Sequence, residues 1–283
     1  MTERRVRNRA GFSLPELLVA LLLTSVVGAA VTGVFVTQSG FFDQQQKEGM
    51  ARSVSRGAMN LLLSELRMID HETGVVVASP DSLQVRVPFA MGVVCAAVTS
   101  PPSVVAWIFP ADSFAYADAD FEGYGYRQPD GTYAFFDPGY APASGGTSTC
   151  STALVETGTA PGTAITLQAL PSTAPVTGAP IFFYQVVTYY FQANSLVPNG
   201  RALWRRAGSN APELLIAPFD STARFRFFWG TESGVSQAAA PADLADLHGV
   251  ELVLDGVSER PNPDGTYRNV PLRTAVYFKN RLP

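Results

Sequence analysis

Histidine and cysteine are nearly missing from this chain of 283 residues, which has two of each. Cys95 and Cys150 carry no C-x-x-C spacing, and with His71 and His248 as the only imidazoles a structural zinc site lacks ligands. GxSxG, HExxH, the P-loop and GxGxxG are all absent, so no hydrolase elbow, zincin helix or nucleotide cradle is written into the chain. Charge is sparse too: 16% of residues are charged, the net charge is −4 and the pI is near 5.2. That balance is not the footprint of a nucleic-acid-binding protein. Neither a cofactor nor an enzymatic activity is expected.

The charge that is present is unevenly placed. Arg4, Arg5, Arg7 and Arg9 precede Gly11, with Glu3 as the only acid among them. Residues 12–36 follow with a single charge, Glu16; as a helix they extend roughly 37 Å, enough to cross a bilayer with some tilt. A basic head before such a run keeps the N-terminus cytoplasmic and sends the rest across the inner membrane, giving a single-pass protein with an extracytoplasmic domain. The run is too long for a secretory signal and no A-x-A pattern closes it. On the far side of the membrane a disulfide persists, so Cys95 and Cys150 are expected to pair.

At the head of the apolar run the residues Gly11, Phe12, Ser13, Leu14, Pro15 and Glu16 read GFSLPE, followed by LLVA. This stretch resembles the processing site of type IV prepilins and pseudopilins. The resemblance implies that a prepilin peptidase cuts after Gly11, that Phe12 becomes the methylated first residue, and that Glu16 pairs with the N-terminal amine of a neighbouring subunit in a filament. The alternative for Glu16 is a carboxylate reaching back to the headgroups, about 6 Å along the helix from Phe12. Pro15 falls in the first turn, where a missing N–H costs little.

Past a polar patch at Gln44, Gln45, Gln46 and Lys47, apolar residues recur at Met50, Val54, Ala58, Leu61, Leu62, Leu66 and Ile69. Spacings of three and four are helical, and Gly74 is placed to cap a helix that runs to about His71. Beyond it lie short β-rich runs at 75–78, 83–89, 104–109, 164–169, 181–192, 202–206, 223–229, 250–255 and 272–278. Pro-Asp-Gly-Thr occurs at 129–132 and 263–266, and a turn between two strands explains both. Residues 138–180, rich in Gly, Ser, Thr, Ala and Pro, read as surface loops with one short strand. The expected class is α+β: a leader at 1–11, a transmembrane helix at 12–36, an amphipathic helix at 37–74, and an antiparallel β-rich domain at 75–283. A long helix packed on such a sheet is also the pilin architecture that the resemblance implies.

A second resemblance lies in Val187 to Phe191 (VTYYF), Leu203 to Arg206 (LWRR), Leu214 with Leu215, and the ending Phe278, Lys279, Asn280, Arg281. This order is similar to PilW-type minor pilins and J-type minor pseudopilins of type II secretion. Residues 80–180 match no family pattern. Three function classes remain open: an assembling pilin or pseudopilin subunit, a filament-tip adhesin whose middle region binds a ligand, and a membrane-tethered enzyme, the last left without a catalytic constellation.

Two clusters invite other chemistry. Asp118, Asp120, Glu122 and Gly123 copy the first half of an EF-hand loop, but Pro129 occupies the place of the bidentate glutamate; a solvated acidic loop is the favoured reading, calcium the alternative. Arg201, Arg205, Arg206, Arg224 and Arg226 interleave with Trp204, Phe225 and Phe227 as a single-stranded DNA surface would, although alternation on two strands explains them equally. The expected partners are therefore prepilin peptidase, other pilin-like subunits and the membrane, not nucleic acid.

Overall fold

A computed structural model describes residues 13–70, 73–99, 102–118, 122–128, 131–136, 142–143, 163–168, 175–230 and 234–278. It divides into two compact units, Met1–Gly49 and Met50–Pro283. One helix, α1 (Leu14–Leu66), contains 53 residues and belongs to both.

In the first unit α1 is exposed almost throughout, with Leu14 77% and Phe35 67% accessible. In the second unit it lays one face on the core through Ala51, Ser55, Ala58, Leu62 and Leu66, all 0–1% exposed. Leu61, expected on that face, is 39% exposed, and the small residues Ala51 and Ser55 share the seam instead. Small side chains allow close approach: a Cβ added at Gly256 would collide with Ala51 O and the Ser55 hydroxyl. The helix stops at Leu66, short of the expected His71, because the chain finds other partners. Met68 N–H bonds to Glu65 O at 3.1 Å, and Asp70 Oδ2 accepts from Thr73 N–H and Oγ1 at 3.0 and 3.1 Å. Such side-chain bonds compete with the helical ladder. Gly74 does not cap α1; it lies where an added Cβ would meet the Asp70 backbone.

Fifteen strands follow among the described residues. They are β1 (Val75–Ser79), β2 (Ser82–Thr99), β3 (Pro102–Ile108), β4 (Gly123–Arg127), β5 (Tyr133–Phe136), β6 (Pro142–Ala143), β7 (Thr163–Gln168), β8 (Pro180–Ala193), β9 (Arg201–Ala207), β10 (Glu213–Phe219), β11 (Arg224–Trp229), β12 (Leu247–Val253), β13 (Gly256–Val257), β14 (Asn269–Val270) and β15 (Arg273–Tyr277). A short helix, α2 (Ser113–Asp118), lies between β3 and β4. Every strand pairing is antiparallel. The larger sheet runs β14-β13-β10-β9-β8-β2-β3-β7-β6, with β1 on β2 and the β4–β5 hairpin on β8; the smaller runs β11-β12-β15.

Alternation along β2 and β8 sends Leu83, Val85, Val87, Val187, Tyr189 and Phe191 into one core with the α1 residues and with Phe225, Phe227, Val250 and Leu252 of the smaller sheet. A second cluster holds Tyr124, Tyr126, Ile181, Phe183 and their neighbours. Both expected turns form. Gly131, at φ 92°, bonds back to Gln128 O at 3.0 Å between β4 and β5, and Gly265, at φ 80°, bonds to Asn262 O at 2.9 Å between β13 and β14. The fold is thus α+β, a long N-terminal helix followed by an antiparallel β domain.

Candidate processing and assembly site

The helix begins with a matched pair of residues. Ser13 precedes the first helical residue and Glu16 sits three positions on; Glu16 Oε2 accepts from Ser13 N–H at 3.0 Å and from Ser13 Oγ at 2.9 Å. The spacing S-x-x-E is that of a capping box, in which the N3 carboxylate reaches back to satisfy the donor at the helix start. Pro15 occupies the second helical position, where its absent N–H removes no bond of the ladder.

Further along, the helix disposes of its other polar groups internally. Thr24 Oγ1 donates to Ala20 O at 2.7 Å, Ser25 Oγ to Leu22 O at 2.8 Å, Thr32 Oγ1 to Gly28 O at 2.8 Å, and Thr37 Oγ1 to Gly33 O at 2.9 Å. Each hydroxyl spends its proton on a carbonyl of the preceding turn, so this stretch needs no water to satisfy it. By length and composition α1 is able to cross a membrane.

The other residues singled out in the sequence fall in separate places. Gly11, Phe12, His71, Asp120, Cys150 and Lys279 to Arg281 lie outside the described residues. Cys95 is buried on β2 at 7% exposure. Asp118 ends α2 rather than lying in an open loop, and the Glu122 carboxylate accepts from Val186 N–H, which ties it to β8. Among the described residues no group of three potential metal ligands converges. His248 Nε2 lies 3.2 Å from Gly230 O on β12.

Nor do the arginines form one open basic face. Arg201 donates to Ala223 O and Phe191 O, both at 2.9 Å, and meets Asp81 at 2.7 Å. Arg226 bonds Ser236 Oγ at 2.8 Å and pairs with Glu251 at 3.1 Å, while Phe225 and Phe227 are fully buried in the core. Arg205 joins Glu65 at 3.5 Å and Glu213 at 3.2 Å, and Tyr189 Oη donates to the same Glu65. This Glu65–Tyr189–Arg205 cluster ties the end of α1 to β8 and β9, and burial together with the Glu65 charge pushes the Tyr189 hydroxyl well above the usual phenol range. Sequence reasoning missed the cluster, since its members are separated by more than a hundred residues. The Ser13–Glu16 cap was legible in its spacing. The segments VTYYF, LWRR and LL fall on the consecutive neighbours β8, β9 and β10, with Tyr190 opposite Trp204 and Trp204 opposite Leu214.

An apolar, self-satisfied N-terminal helix with one carboxylate at its start, continuing into an antiparallel sheet domain, defines a helix-tethered subunit of pilin-like build. Residues 6–32 match the Prokaryotic N-terminal methylation motif, and the chain is accordingly a prepilin-type, type IV pilin-like protein. Proteins carrying this motif are structural rather than enzymatic, and the motif implies processing by prepilin peptidase and assembly with pilin-type subunits. The chain matches no curated protein and no solved structure.

Proposed function

We propose that this protein is a minor pilin or minor pseudopilin that assembles into, or primes, a type IV pilus or a type II secretion pseudopilus. Prepilin peptidase removes residues 1–11, Phe12 is methylated, and the helix holds the subunit in the inner membrane with its β domain outside until assembly. The observation that carries this reading is the exposed, internally hydrogen-bonded helix within the matched motif, with Glu16 as the only charge among residues 14–36. The order VTYYF, LWRR, LL supports a PilW-type or J-type subunit. Cys95 and Cys150 pair in the oxidising compartment.

Before cleavage Glu16 is satisfied by Ser13. When subunits pack, the helix enters a bundle of like helices, where a carboxylate without a positive partner would cost several kcal/mol; the Phe12 ammonium of a neighbour offsets that cost and sets the register. Glu16→Ala is therefore expected to permit insertion and cleavage but to lower the ratio of protein in sheared filaments to protein in membranes. Equal incorporation at equal membrane abundance would refute this role.

A further inference from the structure

The β-rich unit contains a pocket of about 180 Å³ that the assembly reading leaves unused. Its walls are the rings of Tyr133, Phe135 and Phe182, completed by Met68, Met91 and Pro88. Its polar groups are the Arg86 guanidinium and the Asp70 carboxylate.

Strand register builds this site. Arg86 and Pro88 alternate with the buried Val85 and Val87, Met91 pairs with Phe182 across β2 and β8, and β5 supplies Tyr133 and Phe135. The three rings meet edge to face, Phe182 standing 5.4 Å from Tyr133 and 5.3 Å from Phe135. The polar pair is held in place: Arg86 lies over Phe135 at 5.4 Å and donates to Thr73 O, while Asp70 accepts from Thr73 N–H and Oγ1.

Size, charge and wall chemistry then select a ligand. A cavity of roughly 150 Å³ takes benzene, so this one accepts a single six-membered ring. Arg86 and Asp70 cancel in charge, which favours a neutral group over an ion. Together they offer a fork of N–H donors and a carboxylate acceptor. A plain aromatic ring would cover both without hydrogen-bonding either, at a desolvation cost. A ring with a C–H face for the aromatic walls and hydroxyls at its rim suits both halves of the site. We propose that the pocket binds a neutral pyranose sugar, free or at the end of a glycan chain. This function is independent of assembly: its failure leaves the filament reading intact, and the reverse holds.

The test uses the full chain in a detergent without a sugar headgroup, with glucose, galactose, mannose, N-acetylglucosamine and their methyl glycosides as probes. Saturation-transfer NMR is expected to show transfer to ring C–H protons of at least one probe. Transfer to the methyl glycoside assigns a chain-terminal ring, and transfer to the free sugar alone assigns a soluble one. Tyr133→Ala and Arg86→Gln are each expected to weaken binding about tenfold, the scale of one lost aromatic or polar contact, with the thermal midpoint of each variant checking that it folds. Should either variant fail to fold, Met91→Ala at the more exposed wall replaces it. No transfer from any sugar, transfer unchanged in the folded variants, or binding of benzyl alcohol with no sugar bound would each overturn the proposal.

Discussion

Raising the pH above 10 is expected to unfold this protein largely through Tyr189. Its hydroxyl is 1% exposed as a residue and donates to Glu65, which is also paired with Arg205. Burial and the Glu65 charge both raise its pKa in the folded state, while in the unfolded chain it titrates near 10. Above that value the unfolded state loses a proton that the folded state keeps, so stability is fully present below about pH 10 and falls as pH rises toward the folded pKa. The slope is about 1.4 kcal/mol per pH unit for one such group, or about 2 kcal/mol at pH 11.5, a sizeable part of the ~5–15 kcal/mol that holds a typical domain. The background is favourable, because Lys47 and Lys279 are the only lysines. Burial raises the Tyr126 pKa as well, so Tyr126→Phe serves as an independent control. Denaturant titrations followed by tryptophan fluorescence from pH 8 to 12 measure the effect. Tyr189→Phe is expected to lose about 1.5–3 kcal/mol at pH 8, the worth of a hydrogen bond to a charged group, yet to show a shallower alkaline decline than wild type. Parallel curves for the two proteins above pH 10 would refute the reasoning.

Intact-mass analysis of the mature protein is expected to show a chain beginning at Phe12 and heavier by one methyl group; retained leader residues would refute the processing site. Protein extracted without reductant should show no alkylation of Cys95 or Cys150, and the disulfide is expected to contribute about 4 kcal/mol in the chain-entropy account, read as the stability lost on reduction. Gly256→Ala forces a methyl group against the Ala51 carbonyl and is expected to cost about 1–3 kcal/mol or more. Gly57→Ala presses only the tip of Ile216, 2.7 Å from the new Cβ, and is expected to be much milder; equal thermal midpoints for these two variants would contradict the tight helix–sheet seam.

The long helix was legible because an uncharged run and a spacing of three and four leave few other structures, but its end was not. Asp70 and Thr73 divert the backbone by side-chain bonds that no apolar period reports. Strand β2 reads as seven residues and extends over eighteen, since Pro88 and Gly92 ordinarily interrupt a strand. Here a register shift between Pro88 and Ala90 absorbs the first, and the second sits where a Cβ would strike the Trp107 backbone. Strand β10 was implied only by family likeness, because Leu214, Leu215 and Ile216 run consecutively and show no alternation. At the assembly site the cap spacing was on the surface of the sequence, whereas the aromatic pocket draws on four distant segments and emerges only when β2, β5 and β8 come into register.

The back-bonded hydroxyls of α1 carry a consequence for how easily a subunit changes surroundings. Because Thr24, Ser25, Thr32 and Thr37 satisfy themselves within the helix, this stretch shows its neighbours hydrocarbon only, whether those neighbours are lipid tails or other helices. Exchanging one for the other breaks no hydrogen bond and wets no polar atom, so the partition between them is close to even apart from packing. The direction of transfer then rests with the few groups that do distinguish the two media, and near the start of the helix that is the Glu16 carboxylate: one ionisable side chain acts as the latch on an otherwise indifferent rod.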